Sequence, residues 1–217
     1  MITEDLYGRY LAALLVGDQP ACAAIVTELL NGSIDVKTLY TNLMQRSMYE
    51  VGALWEANRI SVATEHLATS VTEGLLSLVY PIIFARPHLN RTAIVSCVAN
   101  EFHELGGRMV ADIFELNGWH GHFLGANTPL PDLLAMISDK RPHLLALSMS
   151  TQAGTHALIA AVDAVRRQFP RLPVLVGGQA FRRGGGDIVQ GYPGVQVVVS
   201  IHELETIIRA RTTYPAA

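Results

Sequence analysis

The chain has 217 residues, 50% of them hydrophobic and only 16% charged, which is enough apolar side chain for a substantial core and too little charge for a mainly disordered protein. A net charge of -3 offers no large basic surface, so no direct nucleic-acid binding is expected. Cys22 and Cys97, with no ligand cluster around them, read as buried thiols rather than a disulfide framework or a zinc site.

The chain opens without a basic-then-apolar leader, and turns or charges interrupt its apolar stretches too often for a bilayer span. A cytoplasmic location with no membrane partner is the expectation. The first eighty-odd residues read as helices. Thr3 is placed to cap a helix whose face carries Leu6, Tyr10, Leu11, Leu14 and Leu15. Asp18, Gln19 and Pro20 restart the chain into a second helix through Ile25 and Leu30, which Asn31 and Gly32 stop. A third is predicted over 36–54, with Leu39, Leu43, Met44, Met48 and Val51 as its apolar stripe and Trp55 at its end. Ser61 then caps a fourth helix carrying Glu65, His66, Leu67, Val71, Leu75 and Val79 and running toward Phe84. Helices of this kind bury a common face in a small bundle, here over 1–85.

The segment 85–90, with Pro87, separates that bundle from a different rhythm. Apolar strand-like runs fall at 92–98, 120–124, 143–147, 173–176 and 195–199. Helical stretches at 105–116, 130–137, 155–167 and 202–211 fill the gaps between them, and the interval after Val176 is less regular. The alternation predicts an α+β two-domain architecture. A helical bundle precedes, over 91–217, an α/β flavodoxin-like, doubly wound, five-stranded parallel sheet. Ligands of such sheets sit beyond the carboxyl ends of the strands.

Directly after the first predicted strand stands Asn100-Glu101-Phe102-His103-Glu104-Leu105-Gly106. One imidazole nitrogen can ligate a metal while the other donates to a carboxylate that fixes the tautomer. The residues alone leave open a ligand, a catalytic base or a loop histidine satisfied locally. The stretch resembles the Asp-x-His-x-x-Gly signature of the cobalamin-binding domains found in methionine synthase, methyltransferase corrinoid proteins and light-sensing B12 regulators. That resemblance implies His103 as lower axial cobalt ligand, displacing the vitamin's own dimethylbenzimidazole. It also implies close approach at Gly106 and Glu101 as the orienting acceptor, on an arm longer than the usual aspartate.

Two later features resemble the same family. Ser148-Met149-Ser150-Thr151 ends the third predicted strand like the family's Ser-x-Leu or Ser-x-Thr region, implying that hydroxyls of Ser148, Ser150 and Thr151 line the nucleotide pocket. Gly177-Gly178 ends the fourth like the paired glycines beside the buried tail. Taken separately, the hydroxyls could satisfy exposed backbone at a strand end and the glycines could make an ordinary turn. Gly184-Gly185-Gly186-Asp187 lacks the lysine and hydroxyl of a phosphate loop.

In the helical half, nine residues separate Trp55 from Glu65-His66. This resembles the Trp-x9-Glu-His pattern in the helical cap of adenosylcobalamin light-sensing regulators. The resemblance implies a cap over the upper face of the vitamin, with Trp55 on the adenosyl group and Glu65 and His66 completing a polar wall. A plainer account makes Trp55 bundle core and Glu65 a first-turn helix stabiliser. The best-studied regulators carry a histidine after the tryptophan, where this chain has Glu56, which removes that route to a second histidine ligand. The resemblance spans nearly the whole chain and leaves no room for the helix-turn-helix domain of DNA-binding members. The expectation is therefore a stand-alone, non-enzymatic sensor, forming homo-oligomers or engaging a regulatory protein, loaded with adenosylcobalamin; methylcobalamin or hydroxocobalamin is the variant. The alternative is a corrinoid shuttle of a methyltransferase system. A mutase subunit and a flavodoxin-like interaction module without cobalamin are the remaining readings.

Overall fold

A computed structural model describes residues 1–85, 87–182 and 184–213. The chain divides into two compact units, Met1–Ile83 and Phe84–Ala217.

The first unit is helical. Helix α1 (Glu4–Leu15) begins where the Thr3 hydroxyl accepts from the Leu6 amide, and α2 (Gln19–Asn31) begins where the Asp18 carboxylate accepts from the Ala21 amide. The single helix expected over 36–54 is instead three segments. These are α3 (Val36–Leu39), a π-helical stretch Tyr40–Gln45, and α4 (Arg46–Glu56). Leu39, Tyr40, Leu43 and Met44 are all fully buried there, and the Ser47 hydroxyl donates back to the Leu43 and Met44 carbonyls. A widened turn has the same apolar spacing as an ordinary one to within a residue, so periodicity does not announce it. Helix α5 (Val62–Leu76) starts where Ser61 accepts from the Thr64 amide. It ends in a 3-10 turn, Ser77–Val79, followed by the short α6 (Tyr80–Ile83). Pro81 lacks the amide that would continue the ladder of α5. Tyr10, Leu14, Val26, Val51, Leu75 and Val79 close the core of this unit, each burial contributing about 1.5–3 kcal/mol before entropy is counted.

The second unit is a five-stranded parallel sheet in the order β2-β1-β3-β4-β5. Its elements are β1 (Thr92–Cys97), α7 (Leu105–Leu116), β2 (His120–Phe123), α8 (Leu130–Lys140), β3 (Leu144–Ser148), α9 (Thr155–Gln168), β4 (Val174–Gly177), α10 (Gln179–Arg182), β5 (Val195–Val198) and α11 (Ile201–Thr213). This is the flavodoxin-like order, with its switch point between β1 and β3. The interval after β4, irregular in the sequence, holds α10 and a 3-10 turn, Gly185–Val189. The central strands are mostly apolar and buried because helices cover both faces of such a sheet. Both cysteines are free and buried. Among the described residues, no helix is long and apolar enough to cross a membrane.

Gly177 and Gly178 are explained by the protein's own packing. A Cβ on Gly177 would lie 2.7 Å from the Val198 carbonyl oxygen of β5. Gly178 has φ 110°, and a Cβ there would meet the Met149 carbonyl oxygen at a clashing distance. Gly178→Ala is expected to destabilise the sheet unit by about 3 kcal/mol, combining φ strain with a backbone clash. Chemical denaturation measures it, and a loss below about 1 kcal/mol would show that the β3 and β4 ends can separate without cost.

Candidate functional site

The loops after β1, β2 and β3 meet around one glutamate. Glu101, whose side chain is 2% exposed, follows β1 by four residues. Its Oε1 accepts from the His103 amide at 2.9 Å and from His103 Nδ1 at 2.5 Å. Its Oε2 accepts from the backbone amides of Ser150 at 2.6 Å and Thr151 at 3.4 Å, beyond β3. The Glu101 carbonyl accepts from the Asn127 amide, beyond β2. The methylene that distinguishes glutamate from aspartate thus lets one side chain hold the histidine with one oxygen and the β3 loop with the other.

Burial by itself raises the Glu101 carboxyl, but the hydrogen bonds from the His103 ring, the His103 amide and the Ser150 amide outweigh it. The group is pushed down to about 2. It is therefore an anion at neutral pH, suited to accept Nδ1–H and so to place the imidazole lone pair on Nε2, the form in which histidine ligates a metal. The His103 side chain is 61% exposed beyond the sheet. Burial, followed by the charges of Glu101 and Glu104, raises the neighbouring Cys97 thiol to about 12, so it stays protonated; its Sγ lies 3.7 Å from the His103 carbonyl.

Ser150 and Thr151 reach Glu101 through backbone amides, a role their hydroxyl chemistry did not encode. Ser148 is the last residue of β3, paired with Cys97. Three residues that the sequence reading did not assign complete the loops. Asn100 and Asn127 both adopt left-handed backbone, φ 63° and 49°, and the Asn127 side-chain oxygen accepts from the Asn100 amide at 2.8 Å. Glu104 accepts from the Ala126 amide at 2.9 Å. The available signal was two asparagines just beyond predicted strands, since asparagine tolerates that backbone region better than most residues.

These residues fit a cobalt corrinoid in two respects. The donor is an imidazole oriented by a carboxylate on its other nitrogen. Gly106 is exposed, and a Cβ there would meet nothing within 4 Å, so the surface beside His103 is open to a bulky group.

In the helical unit, Trp55 is the penultimate residue of α4 and is 46% exposed, so it is not core. Glu65 lies in the first turn of α5 and accepts from the Thr69 hydroxyl at 3.1 Å. The His66 ring is 75% exposed, with Nε2 3.7 Å from Glu65 Oε2. Glu56 is exposed at the end of α4. Trp55, Val62 (50% exposed) and Leu67 (45%) are exposed large apolar residues of this unit.

The B12 binding domain family matches residues 91–210, and a second family described as B12 binding domain matches 6–80. Two transcription regulators of Myxococcus xanthus are similar to this chain. HTH-type transcriptional repressor CarH is 29% identical over 79% of the chain, and HTH-type transcriptional repressor CarA is 29% identical over 82%. The chain spans 57% and 60% of the length of these curated relatives. The monomethylamine corrinoid protein of Methanosarcina barkeri shares the fold, with a TM-score of 0.81 at 13% identity over 98% of this chain and 100% of its own.

The expectation of no direct nucleic-acid binding is corrected by these relatives, both of which are HTH-type repressors. It rested on the net charge, which is a sum over the chain, and on the resemblance leaving no room for a helix-turn-helix domain. With more than half of its length matched by one family and most of the remainder by another of the same description, the chain belongs to the B12 binding domain family.

Proposed function

We propose that this protein is a light-responsive regulator that holds adenosylcobalamin, with His103 as the lower axial ligand and Trp55, Glu65 and His66 toward the upper face. Cobalamin contributes a cobalt–carbon bond that light can cleave. The protein's part is to ligate, to orient and to respond. Glu101 holds the His103 ring in its ligating tautomer, and Gly106 leaves the approach open. Trp55 offers an exposed aromatic face to the upper group, and Glu65 supplies an oriented carboxylate for hydroxyl groups. Loss of the upper group then favours a second conformation with different assembly or partner affinity, because a ligand shifts an equilibrium only by binding its two states unequally. Similarity to two transcriptional repressors supports reading that response as a control of transcription.

The observation that carries the reading is the Glu101–His103 pair on the β1–β3 switch point, in a chain whose helical unit also presents an exposed tryptophan. The test reconstitutes the protein with adenosylcobalamin in darkness, illuminates it, and follows absorption and molecular mass together. Photolysis with a change of mass or partner affinity is expected. Unchanged mass and affinity, with a methyl group passing from bound methylcobalamin to a partner protein, would replace the sensor with a corrinoid shuttle. Trp55→Ala is expected to exchange its upper ligand about tenfold faster in darkness, because an aromatic face of this size contributes roughly 1–2 kcal/mol of contact. Stopped-flow absorption reads that rate, and an unchanged rate would remove Trp55 from the site.

A further inference from the structure

At the opposite end of the sheet from His103, where β2 begins, three donor side chains converge: His88, Glu115 and His120. One ligand atom from each lies within 4.8 Å of the others. His88 Nε2 is 2.6 Å from Glu115 Oε2, and the His88 and His120 rings stack with centroids 4.2 Å apart, 9° from parallel.

The positions of these donors are held by the fold. The second oxygen of Glu115 accepts from the Gly121 amide at 2.8 Å, which orients the carboxylate. The backbone beside His88 is tied down where the Leu89 amide donates to the Gly118 carbonyl at 2.6 Å, and the His120 amide donates to the Arg91 carbonyl at 2.8 Å. A carboxylate whose other oxygen is fixed by a backbone donor is the arrangement that steadies metal ligands.

We propose that His88, Glu115 and His120 form a site for a divalent transition-metal ion of zinc's class, separate from the cobalamin site. Two imidazoles and one carboxylate suit a borderline ion, whereas calcium and magnesium favour oxygen throughout. Zinc–ligand bonds of about 2.0–2.1 Å put neighbouring donors of a tetrahedral ion roughly 3.3 Å apart. The His88–Glu115 hydrogen bond therefore opens by less than about 1 Å to admit the ion, and the stacked rings turn about χ2 to aim both lone pairs at it. Three protein donors leave a fourth position for water. Because His88 lies in the segment between the helical unit and β1, the ion fastens that segment to the end of α7 and the edge strand.

The probe is Zn²⁺ alone, titrated calorimetrically into the full chain, with His103→Ala as a background that removes the cobalamin ligand. About one ion per chain is expected in both backgrounds, and His88→Gln and His120→Asn are each expected to weaken binding at least about tenfold. His122→Asn, on the same strand but outside the cluster, should leave affinity unchanged. No binding by the native chain, or equal weakening by His122→Asn, overturns the site. Thermal melts of each variant without metal confirm that it folds. A fall in zinc affinity in His103→Ala equal to that of the His88 variant would also overturn the proposal, whatever the fate of the cobalamin reading.

Discussion

Replacing His103 with alanine is expected to lower the affinity for cobalamin by at least about 100-fold, since even the loss of an orienting partner costs 10–100-fold at a metal ligand. The vitamin that remains bound should show the spectrum of its own base on cobalt instead of an imidazole. Protein stability should fall by only about 1–2 kcal/mol, the net worth of the lost ring bond to Glu101. The ring is 61% exposed, and the His103 amide can still donate to Glu101 after the side chain is gone. Absorption spectroscopy during a titration reads both quantities, and an unchanged axial ligand in the variant would end the assignment of His103.

Glu101→Gln should have the reverse profile, with a large effect on stability and a secondary one on ligation. A carboxylate accepts with both oxygens here, from His103 on one side and from Ser150 and Thr151 on the other. An amide has one acceptor oxygen, so its NH2 must face donors at one of the two positions. Buried donors without a partner cost roughly 1–3 kcal/mol each, which puts the loss at about 3 kcal/mol. For a chain of this size that lowers Tm by roughly 10 °C.

The same pair predicts a pH dependence. The Glu101 pKa is depressed in the folded state, from an ordinary 4.5 to about 2. Its stabilising contribution is therefore complete above about 4.5 and is lost as pH falls toward 2. Over that window the native protein should lose stability more steeply than Glu101→Gln, by up to one proton's worth of slope. Parallel slopes in urea melts at pH 5, 4 and 3 would show that the carboxylate is not held as an anion.

The contrast between these two substitutions separates the donor from its support. His103 is legible in sequence because a histidine just past an apolar run, followed three residues later by glycine, resembles a known ligand motif. Glu101 is legible only as a flanking acid. Its hold on the β3 loop depends on β1 and β3 being neighbours, and their order in the sheet is not stated by either segment. Asn127 and Glu104 are not legible for the same reason, because each accepts from a backbone amide more than twenty residues away, Asn100 and Ala126 respectively. Gly177 and Gly178 resemble a ligand-contact pair in sequence, and the structure adds that a Cβ at either would clash with Val198 or Met149 backbone.

Local pattern determined the helical first unit, the alternating strands and helices of the second, the caps at Thr3 and Ser61, and His103 as the candidate ligand. These depend on periodicity and on hydrogen bonds spanning three or four residues, which a linear sequence displays directly. Only the tertiary structure decided the π-helical turn at Tyr40–Gln45, the reach of Glu101 across two loops, and the meeting of His88 with Glu115 and His120. Each of those depends on which distant backbone comes to lie alongside, and that is settled by the packing of whole strands and helices.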